Sequence, residues 1–320
     1  MTALRRVRRA TLRILIDGRG LPRWTRLQRG LALVTLAAAC WATLGVLARL
    51  AFAYGVEPQS VILWRTILAG GIGAAALAFS GQLRWRELRR AARYAVPIGL
   101  AVAMNHSTYF QAVAELGAAV AVAVFYVYPA LAVVVAWVLL KERCSLAKLF
   151  ATGLAVVGCA AVSGVGGHEA AVSADGVVWA LVSAGSYVAY VFGAKRAVRV
   201  VNPLVFLVGT LVAAVPWLLL AARLAGETLL PPPGGPAWIP IALLAILPTL
   251  LGYWLFARAL RLLDASTAAI ASSVEPVLAV LLALAVLGES ATALQFAGMV
   301  AVFAATLLLR IAAARSSASG

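Results

Sequence analysis

Residues 129–142, PALAVVVAWVLLKE, and residues 276–289, PVLAVLLALAVLGE, match at seven of fourteen positions at a constant offset of 147. Apolar helices of like composition share some Ala, Leu and Val by chance. A proline and a glutamate at identical separation, Pro129 with Pro276 and Glu142 with Glu289, mark a duplication instead. A second match, at offset 146, sets Gly30, Ala38, Trp41 and Ala48-Arg49 against Gly176, Ala184, Tyr187 and Ala194-Lys195. The chain therefore consists of two related halves.

Both halves are strongly apolar. The 320 residues are 64% hydrophobic and 12% charged, with a mean hydropathy of +0.99, where soluble domains run near half apolar and a quarter charged. So few polar residues cannot cover a water-facing surface, and the composition is that of an integral membrane protein. Crossing a hydrocarbon core of about 30 Å takes roughly 20 apolar residues. Ten such runs are predicted, at 30–52, 58–79, 94–114, 118–140, 149–165, 176–193, 203–222, 237–257, 265–287 and 293–309. The organisation expected is a basic segment 1–29, two five-helix repeats over 30–165 and 176–312, and a tail 313–320.

The net charge of +16 would suggest a nucleic-acid binder in a soluble chain. Its placement says otherwise. With the amino terminus in the cytoplasm, 24 of the 27 Lys and Arg fall on the cytoplasmic side of the ten spans, Arg223 falls outside, and Arg49 and Arg65 lie within spans. One helix more or fewer would scramble that segregation, which is the one short cytoplasmic loops impose. Both termini are expected inside, in the inner or plasma membrane. Five spans per half is odd, so the second half enters the membrane inverted. Two inverted halves offer two nearly equivalent packings of the same parts, the basis of alternating access. The basic amino-terminal segment suits an amphipathic helix on anionic lipid; a transit peptide is the alternative, and a signal peptide is disfavoured by the length of the charged stretch.

The all-α architecture, with Tyr109–Gly117 (YFQAVAELG) leading to Pro129 and Lys-Glu-Arg, and Ser272–Pro276 (SSVEP) leading to Gly-Glu-Ser, resembles the EamA-type drug/metabolite transporter superfamily over about residues 30 to 312. That resemblance implies a secondary transporter and export of small metabolites such as amino acids. A passive channel or lipid scramblase of the same architecture is the alternative. A membrane enzyme would need a nucleophile-base or metal constellation, which His106, His168, Cys40, Cys144 and Cys159 do not form by spacing. No cofactor, metal or nucleic acid is expected; the partners are a small-molecule substrate, membrane lipid and protons, and no phosphate-cradling loop provides for ATP.

Glu275 is the one acid deep within a span. A charge there costs about 2.5–3.5 kcal/mol, so it is paired, protonated or facing a polar interior. Its expected roles are amine binding or proton coupling, against capping of the Pro276 kink. In the third span Asn105 and Tyr109 share a face at i, i+4, and His106 lies beside them. Asn105 and Tyr109 are expected to line a cavity, and His106 to be either a cavity group or a satisfied core histidine. Mid-depth aromatics are Trp41, Tyr126, Tyr128, Tyr187, Tyr190, Tyr253 and Trp254, of which about three are expected to touch substrate. The repeat pairs Tyr128 with Glu275 and Trp41 with Tyr187. Ser272 completes the candidate set. Arg49 and Arg65, near the outer surface, are expected either to gate, pairing with Glu57 or Glu115, or to snorkel to headgroups. Glu142 and Glu289 are expected at helix caps.

Overall fold

The computed structural model describes residues 25–82, 84–141, 145–163, 173–224, 226, 229–287 and 292–318, and every regular element among them is helical. The first half contains α1 (Arg26–Ala42), α2 (Leu44–Ala53), α3 (Pro58–Phe79), α4 (Trp85–Phe125), α5 (Tyr128–Leu140) and α6 (Leu146–Val162). The second contains α7 (Ala174–Ala197), α8 (Pro203–Leu224), α9 (Trp238–Leu244), a π-helical segment (Ala245–Gly252), α10 (Tyr253–Ala259), α11 (Ala265–Ser272), α12 (Glu275–Leu287) and α13 (Ala293–Ala318). Among the described residues, seven helical stretches are long and apolar enough to cross a membrane, and Leu146–Val162 and Ala293–Leu309 are shorter apolar helices. The protein is an all-helical, multi-pass membrane protein. Most of the basic segment, His168, and the candidate caps Glu142 and Glu289 lie outside the described residues.

Several spans expected as continuous are interrupted, each for a local reason. The fourth breaks at Tyr126-Val127 and the ninth at Ser273-Val274, after which α5 and α12 restart with Pro129 and Pro276 in their first turns. Proline has no N–H and clashes with the preceding turn, so it suits a helix start and not an interior. The two breaks are repeat equivalents. In the eighth span Pro248 cannot donate to the Leu244 carbonyl; Thr249 Oγ1 donates to it instead at 2.8 Å, and the backbone widens to a π-helix. The first span breaks at Thr43, whose hydroxyl and amide both donate to Cys40 O, at 2.7 and 3.3 Å. Within α4 the third span passes into the fourth at Gly117, where φ is 74°, a conformation glycine adopts without a Cβ penalty.

Packing follows the repeat. The first part of α4 packs on α7, as the π segment and α10 pack on α1; α6 packs on α13 and α3 on α8. The correspondence reaches individual atoms. A Cβ added to Gly30 would lie 2.5 Å from Leu263 Cγ, and one added to Gly176 would lie 2.6 Å from Leu116 Cγ. Gly30 and Gly176 are repeat partners, and so are Leu116 and Leu263, so one glycine-to-leucine contact is made twice. The caps repeat as well. Ser145 Oγ accepts from Lys148 N at 3.2 Å to start α6, and Thr292 Oγ1 accepts from Gln295 N at 3.2 Å to start α13.

Candidate functional site

The helix breaks at Thr43, Tyr126-Val127 and Ser273-Val274 adjoin a cavity of about 450 Å³ between the two halves. Glu275 enters it from the first turn of α12, where the positive end of the helix dipole favours a carboxylate. The Tyr126 hydroxyl is within hydrogen-bond reach of that carboxylate. The break itself is served by other groups, with Cys159 Sγ 3.6 Å from the Ser273 carbonyl. Glu275 thus lines the cavity from the helix start beside Pro276, with Tyr126 near its carboxylate.

An aromatic floor runs across the cavity. Trp41 and Tyr253 meet with ring centroids 5.4 Å apart, Tyr253 and Tyr190 at 5.3 Å, Tyr190 and Tyr187 at 5.8 Å, Tyr187 and Tyr128 at 4.8 Å, and Tyr128 and Phe125 at 5.1 Å. Edge-to-face and tilted contacts of this kind stiffen the floor beyond what burial alone does. Of the seven mid-depth aromatics, Trp41, Tyr126, Tyr128, Tyr187 and Tyr253 line the cavity. Tyr190 lies beneath the floor, 1% exposed, and Trp254 carries the Arg258 guanidinium 5.0 Å from its ring centroid. Ser272 is a further correction: it is fully buried behind the floor, its Oγ 2.8 Å from Tyr128 OH, so it positions the tyrosine without reaching the cavity.

Polar groups of α3 and α4 adjoin the floor and share the cavity lining. Asn105 lines the cavity and is also tied to α7, donating from Nδ2 to Ser183 Oγ at 2.9 Å and to Ser183 O at 3.1 Å, while Ser183 Oγ donates back to Asn105 O at 3.0 Å. Tyr109 shares that face, as its spacing predicts. His106 Nε2 is 3.3 Å from Tyr253 OH, and Nδ1 is buried without a hydrogen-bond partner. A satisfied core histidine would have both nitrogens paired, so that expectation is not met. Arg65 is 5% exposed, lines the cavity, and has a buried Nε without a partner. It does not snorkel to headgroups. Arg49 is exposed and stands on the cavity wall. Of its expected acidic partners, Glu115 accepts from Ser173 Oγ at 3.1 Å and Glu57 occupies the N-cap of α3.

Among the described residues, the lining of the cavity extends to one end of the helices. Arg49 on α2, Ser163 after α6 and Gln295 at the start of α13 border it at the ends remote from the basic loops. At the basic end, cations tie α7 to the stretch after α10 within the second half, and one arginine of the first half joins them. Lys195 donates to the carbonyls of Leu260 and Leu263, Arg261 donates to those of Val198 and Val201, and Arg26 donates to Arg261 O. Phe110, Phe125, Ser163 and Gln295 also line the cavity and were not singled out from the sequence.

The EamA-like transporter family matches twice, over residues 28–164 and again over residues 174–311. The chain belongs to the EamA-like transporter family. As an EamA-like protein it is a membrane transporter, with a small-molecule substrate and a lipid surround. One solved crystal structure superposes on it with a TM-score of 0.74 at 20% identity, covering 89% of this chain and 98% of that one. At that identity the likeness shows the EamA-like fold alone. No curated protein matches the chain.

Proposed function

We propose that this EamA-like protein is a secondary transporter that exports small organic metabolites, amino acids or related compounds, by alternating access. Ten spans in two inverted five-helix halves cross the inner or plasma membrane, with both termini in the cytoplasm. The observation that carries the proposal is the cavity between the halves, lined by Glu275 at a half-helix start, by Arg65 and His106, and by an aromatic floor. Its volume suits one metabolite-sized molecule. Trp41, Tyr128, Tyr187, Tyr253, Asn105 and Tyr109 form its walls, Arg65 and His106 offer donors to a carboxylate, and Glu275 takes an amine or a proton. Ser272 acts through Tyr128. The distribution of basic residues supports this orientation, in which the present state is outward-open.

A stability screen of the purified protein against amino acids, amines and sugars tests the substrate class. Ligands bearing both a carboxylate and an amine should raise the unfolding temperature most, since stabilisation grows with ligand concentration over Kd. If sugars alone stabilise, the assignment of Arg65 and Glu275 to the two charged ends is wrong.

A further inference from the structure

The first turns of α4 carry four exposed arginines, Arg86, Arg89, Arg90 and Arg93. At about 100° per residue they fall within roughly 100° of arc, which is one face of the helix. That face continues along α4 as Val96, Pro97 and Met104, all exposed and all apolar. The opposite face, with Ala91, Ala95, Ile98 and Val102, is buried. It packs on α8 closely enough that a Cβ added to Gly209 would lie 3.1 Å from Ala95 Cβ. The arginine face therefore looks away from the bundle.

Among the described residues no acid pairs with these arginines. Glu87, the acid within the run, is engaged elsewhere and accepts from Asn202 N at 3.1 Å. From Arg86 to Arg93 the row spans about 10 Å at 1.5 Å per residue. A headgroup layer is about 5–8 Å thick on each side of the hydrocarbon core, so the row crosses it. Pro97 fixes the depth independently. It has no N–H to donate to the Arg93 carbonyl one turn earlier, and a freed carbonyl is costly in hydrocarbon but is served by water or a lipid hydroxyl at headgroup level. Charge below that level and apolar surface above it, on one helix face, match the two parts of a phospholipid.

We propose that this face of α4 is a docking site for an anionic phospholipid. The lipid phosphate is held by the guanidinium forks, which match its oxygens in pairs, and an acyl chain lies along Val96, Pro97 and Met104. Clusters of four or more basic residues beside a span attract anionic lipid in this way. The same helix carries Asn105, His106 and Tyr109 to the cavity, so the lipid steadies the base of the element that presents them. The inference stands independently of the substrate and of the transport cycle.

Native mass spectrometry of the full-length protein in detergent, titrated with dioleoyl phosphatidylglycerol or dioleoyl phosphatidylcholine, tests it. Phosphatidylglycerol should bind about tenfold more tightly than phosphatidylcholine. Replacing all four arginines, Arg86→Gln, Arg89→Gln, Arg90→Gln and Arg93→Gln, should remove the preference, and the four lysine replacements should keep part of it. Should the glutamine variant fail to fold, Arg89→Gln with Arg93→Gln is used instead and should lower the preference at least about threefold. Arg5, Arg6, Arg8 and Arg9 changed together to glutamine remove the same charge elsewhere and should leave the preference within about twofold. Glycerol phosphate in excess should not displace the lipid, because it has no chain for the apolar stripe. Equal binding of the two lipids by the parent chain, or an equal loss in the amino-terminal variant, would overturn the site, the second by showing that net charge alone is responsible. Displacement by glycerol phosphate would make it a phosphate site and not a lipid one.

Discussion

Replacing Glu275 with glutamine should reduce pH-gradient-driven flux at least about tenfold in reconstituted liposomes while leaving gradient-free counterflow intact, provided the carboxylate carries the coupled proton. The substitution keeps the shape of the side chain and its reach to the Tyr126 hydroxyl, but it removes the titratable oxygen. Counterflow exchanges one substrate molecule for another with no net proton movement, so an intact cavity suffices for it. The split between the two assays is what identifies a coupling group. A substrate-amine contact would weaken both assays together, and a purely structural Glu275 would change neither. Full retention of gradient-driven flux in Glu275→Gln would end the coupling proposal.

Arg65→Ala is the second large effect expected. The Arg65 side chain is buried and lines the cavity wall, a placement that favours an anionic group of the ligand as its partner. Hydrogen bonds to a charged group contribute about 1.5–3 kcal/mol, which corresponds to roughly 10–100-fold in affinity. Ligands with a carboxylate should lose that much, and analogues with the carboxylate amidated should lose little. Arg65→Lys should recover part of the affinity, since it restores the charge without the planar fork. An equal loss for a carboxylate ligand and its amide, measured by calorimetry, would mean that Arg65 supports the fold and not the ligand.

Much of this site was legible in the sequence because the duplication supplied depth. Trp41 with Tyr187 and Tyr128 with Glu275 were paired by offset alone, and all four line the cavity. Two of the helix breaks were marked by Pro129 and Pro276. What the sequence could not supply was azimuth. Tyr187 and Tyr190 are three residues apart on α7, yet one lines the cavity and the other lies beneath it, a difference made by packing against Tyr253 and Phe256. Ser272 and Glu275 differ by the same spacing, and the unwound Ser273-Val274 between them turns one behind the floor and the other into the cavity. Phe110 and Phe125 carry no polar atom to distinguish them from lipid-facing aromatics. The break at Thr43 follows no proline, so its position emerges only from where α2 diverges toward the open side.

Arg65 and His106 illustrate a different limit. Composition placed both at plausible depth, and snorkelling or core satisfaction were reasonable expectations for long or polar side chains in membrane helices. Only the surroundings show that each retains a buried nitrogen without a partner. Unsatisfied donors of this kind are rare in folded proteins and call for an explanation.

The transport cycle requires that the two halves be inverted copies working about one cavity. Ser145 and Thr292 are repeat partners, each capping the last helix of its half, and they lie at opposite ends of the molecule if the halves are inverted. Single cysteines at these positions, probed with a membrane-impermeant thiol reagent in intact cells and in inside-out vesicles, decide the matter. Thr292→Cys should label in intact cells and Ser145→Cys in inside-out vesicles; labelling of both from the same side would contradict the inverted arrangement and the transport cycle built on it.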